Sequence, residues 1–66
     1  MIEIYGKDSC PYTQAAVEAY RAQGGVYFNV KKDAAAMVKM LEYSKGQRRV
    51  PVIVDNGKVT IGYGGT

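Results

Sequence analysis

The apolar positions of this 66-residue chain switch repeatedly between an alternating and a helical period. Ile2 and Ile4 alternate with Glu3, and Gly6 breaks the run, which predicts a strand over Met1–Tyr5. Pro11 sits where a helix would begin, because its missing N–H costs nothing in a first turn; Ser9 or Cys10 would hold the cap. From Thr13 onward, Ala16, Val17 and Tyr20 share one helical face, and Gly24–Gly25 end that helix. The β-branched and aromatic run Val26–Val30 predicts a second strand. Asp33 is a candidate N-cap for a second helix, with helix-forming Ala34–Ala36 behind it. Met37, Val38, Met40 and Leu41 supply its apolar face, and Gly46 ends it. The methionines are read as core packing. Val50–Val54 predicts a third strand with Pro51 near its start. Asn56–Gly57 between two β runs marks a hairpin leading into a fourth strand, Lys58–Ile61. A glycine-rich tail, Gly62–Thr66, follows.

Strand–helix–strand at the start requires a parallel pair joined by a crossover, and the hairpin adds an antiparallel pair. The expectation is one α/β domain over residues 1–66, built on a mixed four-stranded sheet in the order β-α-β-α-β-β.

Composition narrows the chemistry. A single Cys excludes a disulfide within the chain, and the lack of His removes the usual zinc ligands, so no metal is expected. The apolar runs are too short to span a membrane, and no membrane association is expected. A lone Cys without a disulfide framework fits a reducing compartment and predicts a cytoplasmic protein. The net charge of +3 is mild. Lys31–Lys32 and Arg48–Arg49 form doublets with no accompanying nucleic-acid motif, so nucleic acid is not an expected partner. A small anionic ligand suits this charge better.

The informative stretch is Lys7-Asp8-Ser9-Cys10-Pro11-Tyr12-Thr13. It places a thiol between a strand and the start of a helix, where unpaired amides and the helix dipole favour negative charge. Such a position lowers a thiol pKa and favours the nucleophilic thiolate. Lys7 adds a cation, and Thr13 can offer both its amide and its hydroxyl to the sulfur. The competing reading is a buried structural cysteine; a loop site directly before proline argues for an accessible one.

Lys-x-x-Cys-Pro-Tyr after a first strand resembles the glutaredoxin family, a branch of the thioredoxin-like fold. Gly46-Gln47-Arg48-Arg49-Val50-Pro51, the strand Val52-Ile53-Val54, a hairpin and a Gly-Gly pair extend the resemblance over nearly the whole chain. It implies a thiol-disulfide oxidoreductase with glutathione as co-substrate. The catalytic residues would be Cys10, with Pro11 beside it and Thr13 stabilising the thiolate. Pro51 would be a cis-proline facing the cysteine, although most X–Pro bonds are trans. The backbone of Val50 would pair with glutathione's cysteinyl unit. Lys7, Gln47 and Arg48 would meet its glycine carboxylate, Tyr12 would line the groove, and Gly64 and Gly65 would offer amides to the γ-glutamyl carboxylate. Expected partners are glutathione and glutathionylated or disulfide-containing proteins.

Three departures from the family pattern shape the expected activity. Thr13 stands where dithiol members have a second Cys, which implies a monothiol cycle resolved by a second glutathione and suited to deglutathionylation. Cys-Pro-Tyr-Thr is similar to a bacterial glutaredoxin-like group in which selenocysteine occupies the cysteine position. The family's last helix is missing, which predicts exposed apolar side chains at Val52, Val54, Val59 or Ile61 and a homodimer covering them. Arg49 replaces a usual Thr and adds a cation suited to an acidic substrate. The alternative function is an iron–sulfur carrier or electron-transfer module, with a [2Fe–2S] cluster shared by two subunits and two glutathione thiols.

Overall fold

A computed structural model of the chain describes residues 1–63, so the Gly64 and Gly65 expectations lie outside the described residues. Six elements follow the expected order: β1 (Ile2–Gly6), α1 (Pro11–Arg21), β2 (Val26–Asn29), α2 (Ala34–Ser44), β3 (Val52–Asp55) and β4 (Lys58–Ile61). The sheet order is β2-β1-β3-β4. β1 pairs parallel with β2 and antiparallel with β3, and β3 pairs antiparallel with β4.

The alternation of side chains along β1 divides the core into two layers. Ile2 and Ile4 join Ile53 on the face covered by Ala16, Val17 and Tyr20 of α1. Tyr5 joins Val52 and Val54 on the opposite face, beneath Ala36 and Met40 of α2, with Met37 and Leu41 packed alongside. One helix therefore covers each side of the sheet. Met40 is fully buried; removing a side chain of that size from water contributes roughly 1.5–3 kcal/mol.

Several expectations change. The third strand begins at Val52, two residues later than expected, because Pro51 has no amide to give to a ladder. The Val50–Pro51 peptide is cis, as the family resemblance implies. The second strand stops at Asn29, although the Val30 amide still donates to the Gly6 carbonyl at 3.0 Å. Val38 is 56% exposed and does not belong to the core face of α2; Ala36, Met40 and Ser44, spaced four apart, do. Met37 and Met40 pack in the core as expected.

The predicted exposure along the hairpin is not found. Val52 and Val54 are buried, and Val59 and Ile61 pack at the edge of the α2 layer. On β4 the residues pointing the other way are Lys58 and Thr60, which are polar and exposed. The argument for a homodimer through an uncovered apolar hairpin therefore loses its premise. The hairpin turn itself is as expected: Asn56 and Gly57 have φ of 50° and 90°, the two left-handed positions that an Asn-Gly turn supplies.

Candidate active site

Strand register brings the relevant loops to one end of the sheet. Gly6 lies beside Asn29, Tyr5 beside Val52, and Val52 beside Ile61. The turn after β1, the turn after β2, the Val50–Pro51 approach to β3 and the chain leaving β4 therefore emerge together. The Gly62 amide donates to the Pro51 carbonyl at 2.7 Å and ties two of these segments. Pro51 is fully buried and Val50 half-buried.

Cys10 occupies the N-cap of α1, with extended backbone and Pro11 as the first helical residue. A cap side chain accepts from the amides of the second and third helical residues. Here those amides belong to Tyr12 and Thr13, and the cap residue is a cysteine whose neutral side chain makes no capping hydrogen bond. Asp33, by contrast, caps α2 with a carboxylate that accepts from the amides of Ala35 and Ala36 at 3.0 and 3.3 Å.

The environment favours the thiolate. Burial pushes the Cys10 thiol up, but the Thr13 hydroxyl, the Thr13 and Tyr12 amides and the Lys7 ammonium outweigh it, so the thiol lies below its ordinary range. The Thr13 hydroxyl is fully buried and has no hydrogen-bond partner. It reaches toward the sulfur without making a regular hydrogen bond to it. The orphaned hydroxyl marks a donor held ready for a charge.

Thr13 keeps its place because residue 6 is glycine. A Cβ on Gly6 would lie 2.5 Å from Thr13 Oγ1 and collide with its methyl group as well. Read as a strand terminator in the sequence, Gly6 thus proves to be part of the site.

The expectation of an open thiol needs correction. Cys10 is 9% exposed and counts as buried. Lys7 is half-exposed and Tyr12, 41% exposed, presents its ring to solvent. Gln47 and Arg48 stand exposed on the segment leading into Val50–Pro51. The Gln47 carbonyl is held by the Ser44 hydroxyl at 2.7 Å, while its side chain makes no hydrogen bond among the described residues. The structure therefore gathers Lys7, Cys10, Pro11, Tyr12 and Thr13 into one unit, sets Val50 and Pro51 at the same end of the sheet, and leaves Gln47 and Arg48 on the adjoining loop. Among the described residues, no three of His, Cys, Asp and Glu come together as a metal site.

Sequence reasoning missed a second set of residues. Cys10 closes a turn, its amide donating to the Lys7 carbonyl at 3.2 Å, with Asp8 and Ser9 at the corner. The Tyr27 hydroxyl donates to the Asp8 carboxylate at 2.9 Å, and Gln14 Nε2 donates to the Asp8 carbonyl at 2.9 Å. The Lys32 ammonium stands 3.8 Å from the same carboxylate. Burial, then the hydrogen bond and charge of Asp8, then the charge of Cys10 push the Tyr27 hydroxyl up to about 12, which keeps it a donor. Only the polar end of Tyr27, on a strand of apolar character, hinted at this contact.

A mixed sheet with one helix on each face, a cysteine capping the first helix and a cis-proline before the third strand define a thioredoxin-like protein. The thioredoxin-like protein BC3987 and a point variant of it share this fold, each with 33% identity and a TM-score of 0.78. The alignment spans 97% of this chain and 88–89% of theirs. The glutaredoxin Grx-1 from Archaeoglobus fulgidus matches in fold with a TM-score of 0.74 and 22% identity, over 96% of this chain and 75% of that one. The glutaredoxin family model matches residues 2–60, and the chain belongs to the glutaredoxin family. No curated protein matches the chain significantly. Membership in the family supports thiol oxidoreductase chemistry.

Proposed function

We propose that this protein is a monothiol, glutathione-dependent oxidoreductase that removes glutathione from mixed disulfides. The observation that carries the reading is the single cysteine at the cap of α1, where two amides and an unpartnered buried hydroxyl favour its thiolate. In the first step the Cys10 thiolate attacks the glutathione sulfur of a protein–glutathione disulfide. The new bond joins Cys10 to glutathione; the old disulfide breaks, and the substrate sulfur leaves as a thiolate that takes up a proton. In the second step a glutathione thiolate attacks the glutathione sulfur on Cys10. Oxidised glutathione leaves, and the Cys10 thiolate returns to its cap.

Thr13 takes the position from which a second cysteine would resolve the intermediate, so the chain has no internal route to a disulfide. Lys7, Gln47 and Arg48 supply cations and a polar side chain for glutathione's glycine carboxylate, Tyr12 an aromatic wall, and the backbone of Val50 a strand edge beside Pro51. A thiol that must be reduced after every cycle fits the cytoplasm.

The test compares wild type with Cys10→Ser on a glutathionylated peptide, following oxidised glutathione with and without added glutathione. Wild type should turn over only with glutathione present, and the variant should not turn over at all. Equal rates in the two proteins would overturn the assignment of Cys10 as nucleophile. Turnover without glutathione would overturn its role as resolving thiol.

A further inference from the structure

The turn that carries Cys10 is pinned at its corner from two directions, and neither tether belongs to the motif around the cysteine. From β2 the Tyr27 hydroxyl reaches the Asp8 carboxylate, and from α1 the Gln14 amide reaches the Asp8 carbonyl. Without these tethers the turn would be held by the Cys10-to-Lys7 backbone bond and the chain on either side. Both ends of Asp8 are thus engaged, while its neighbour Ser9 is exposed and makes no side-chain hydrogen bond among the described residues. We propose that Asp8 and Tyr27 are positioning residues for Cys10, together fixing the Lys7–Cys10 turn so that the sulfur stays over the amides of Tyr12 and Thr13.

This rests on Cys10 being the nucleophile but adds a requirement that such a role does not by itself contain. A carboxylate two residues from a thiolate works against the charge the site is built to hold. Its presence is explained if its geometric role outweighs that opposition. The Tyr27 hydroxyl and the Lys32 ammonium offset the carboxylate's charge from β2 and from the turn before α2. Lys7 within the turn and the amide end of α1 face the sulfur directly. The proposal therefore separates two properties of Asp8, hydrogen-bond acceptor and negative charge, and assigns the positioning to the first.

The separation sets the experiment. Tyr27→Phe keeps the ring in the α1 layer and deletes the hydroxyl. Asp8→Asn keeps an acceptor for Tyr27 and deletes the charge; Asp8→Ala deletes both. Each protein is assayed for the pH dependence of Cys10 alkylation by iodoacetamide and for kcat/KM on the glutathionylated peptide, with urea unfolding as the control for folding. Tyr27→Phe and Asp8→Ala should each lose about fivefold in kcat/KM, a loss on the scale of one net hydrogen bond. The double variant should lose no more than either alone, because the two groups act as a unit. Asp8→Asn should stay within about twofold of wild type in kcat/KM and show a thiol no less acidic than wild type. Tyr27→Phe should move the alkylation profile to higher pH.

Wild-type rate and an unmoved profile in folded Tyr27→Phe would overturn the proposal. Additive losses in the double variant, or a loss in Asp8→Asn as large as in Asp8→Ala, would do the same. Alkylation reads the thiol without any turnover, so a failure of glutathione chemistry and a failure of the tether give different patterns.

Discussion

Replacing Thr13 by Val should separate the stability of this protein from the acidity of its cysteine. The two side chains have nearly the same shape, so the fit against Gly6 survives while the hydroxyl is lost. That hydroxyl is fully buried and unpartnered while the thiol is neutral. An unsatisfied buried polar group costs about 1–3 kcal/mol, so its removal should leave the reduced protein at least as stable as wild type at pH below the folded-state pKa of Cys10. The thiolate loses a donor at the same time. A hydrogen bond to a charged group contributes about 1.5–3 kcal/mol, and the lower figure already means about a tenfold smaller thiolate fraction where the thiolate is the minor form. The remaining thiolate is more basic and hence more nucleophilic, with a Brønsted coefficient of about 0.4–0.5, which recovers about threefold. The net expectation is about a threefold slower reaction at acidic pH and about a threefold faster one where both thiols are fully ionised. The assay is the pseudo-first-order reaction of Cys10 with the neutral hydroxyethyl disulfide across pH, read by mass spectrometry, beside urea unfolding. Thr13→Ser keeps the hydroxyl and loses the methyl contact, so it should keep the wild-type profile while being less stable. Superimposable profiles for wild type and Thr13→Val would refute the assignment of the hydroxyl as a thiolate donor.

Three further outcomes follow from the same structure. Because the Cys10 pKa is depressed in the folded state, the unfolded chain binds more protons between the folded value and the ordinary 9.0. Across that window the stability of wild type relative to Cys10→Ser should rise with pH, and the gain should be lost as pH falls through the folded value; a flat difference in urea unfolding would contradict the depression. Gly6→Ala should cost about 1–3 kcal/mol by overpacking Thr13, seen as a lower thermal midpoint, and should move the thiol profile to higher pH because Thr13 is displaced. Met40→Ala should cost about 2–5 kcal/mol, whereas Val38→Lys should stay within about 0.5 kcal/mol of wild type; equal losses at the two positions in urea unfolding would contradict the core assignment.

The order of elements was legible because each carries its own local signal. Pro11, Asp33, Gly24–Gly25 and Asn56–Gly57 punctuate the chain by backbone chemistry alone. Faces were less legible than elements. Val38 has helical spacing with Leu41 but lies exposed, since periodicity does not say which part of an apolar stripe meets the sheet. The hairpin valines misled for a related reason. Val59 and Ile61 alternate visibly with Lys58 and Thr60, but only the fold shows that the apolar side faces the α2 layer with Val52 and Val54 and that Lys58 and Thr60 take the other side. Within the site, Lys7, Cys10 and Thr13 were readable because they are close in sequence and share one turn. Tyr27 lies 19 residues from Asp8, and Gly6 matters through a contact with a residue seven positions on, so neither role has a local signature.

The two helix caps show why this placement suits exchange chemistry. Asp33 keeps its carboxylate on the amides of Ala35 and Ala36 and holds α2. Cys10 occupies the equivalent place on α1, but a neutral thiol is a weak acceptor and cannot satisfy those amides as a carboxylate does. The cap of α1 is completed only when the sulfur ionises. In the proposed cycle a mixed disulfide with glutathione would replace that charge with a neutral sulfur and undo the cap. Every interaction that favours the thiolate therefore also disfavours the intermediate and makes Cys10 the better leaving group when a second thiol attacks. Thr13 would contribute on both counts in that cycle, since its hydroxyl would have a charged partner in the free thiolate and lose it in the intermediate. A second cysteine at that position would supply a resolving thiol. In the proposed monothiol cycle threonine would instead supply a donor that drives the intermediate back toward the free thiolate and leaves resolution to a thiol from solution.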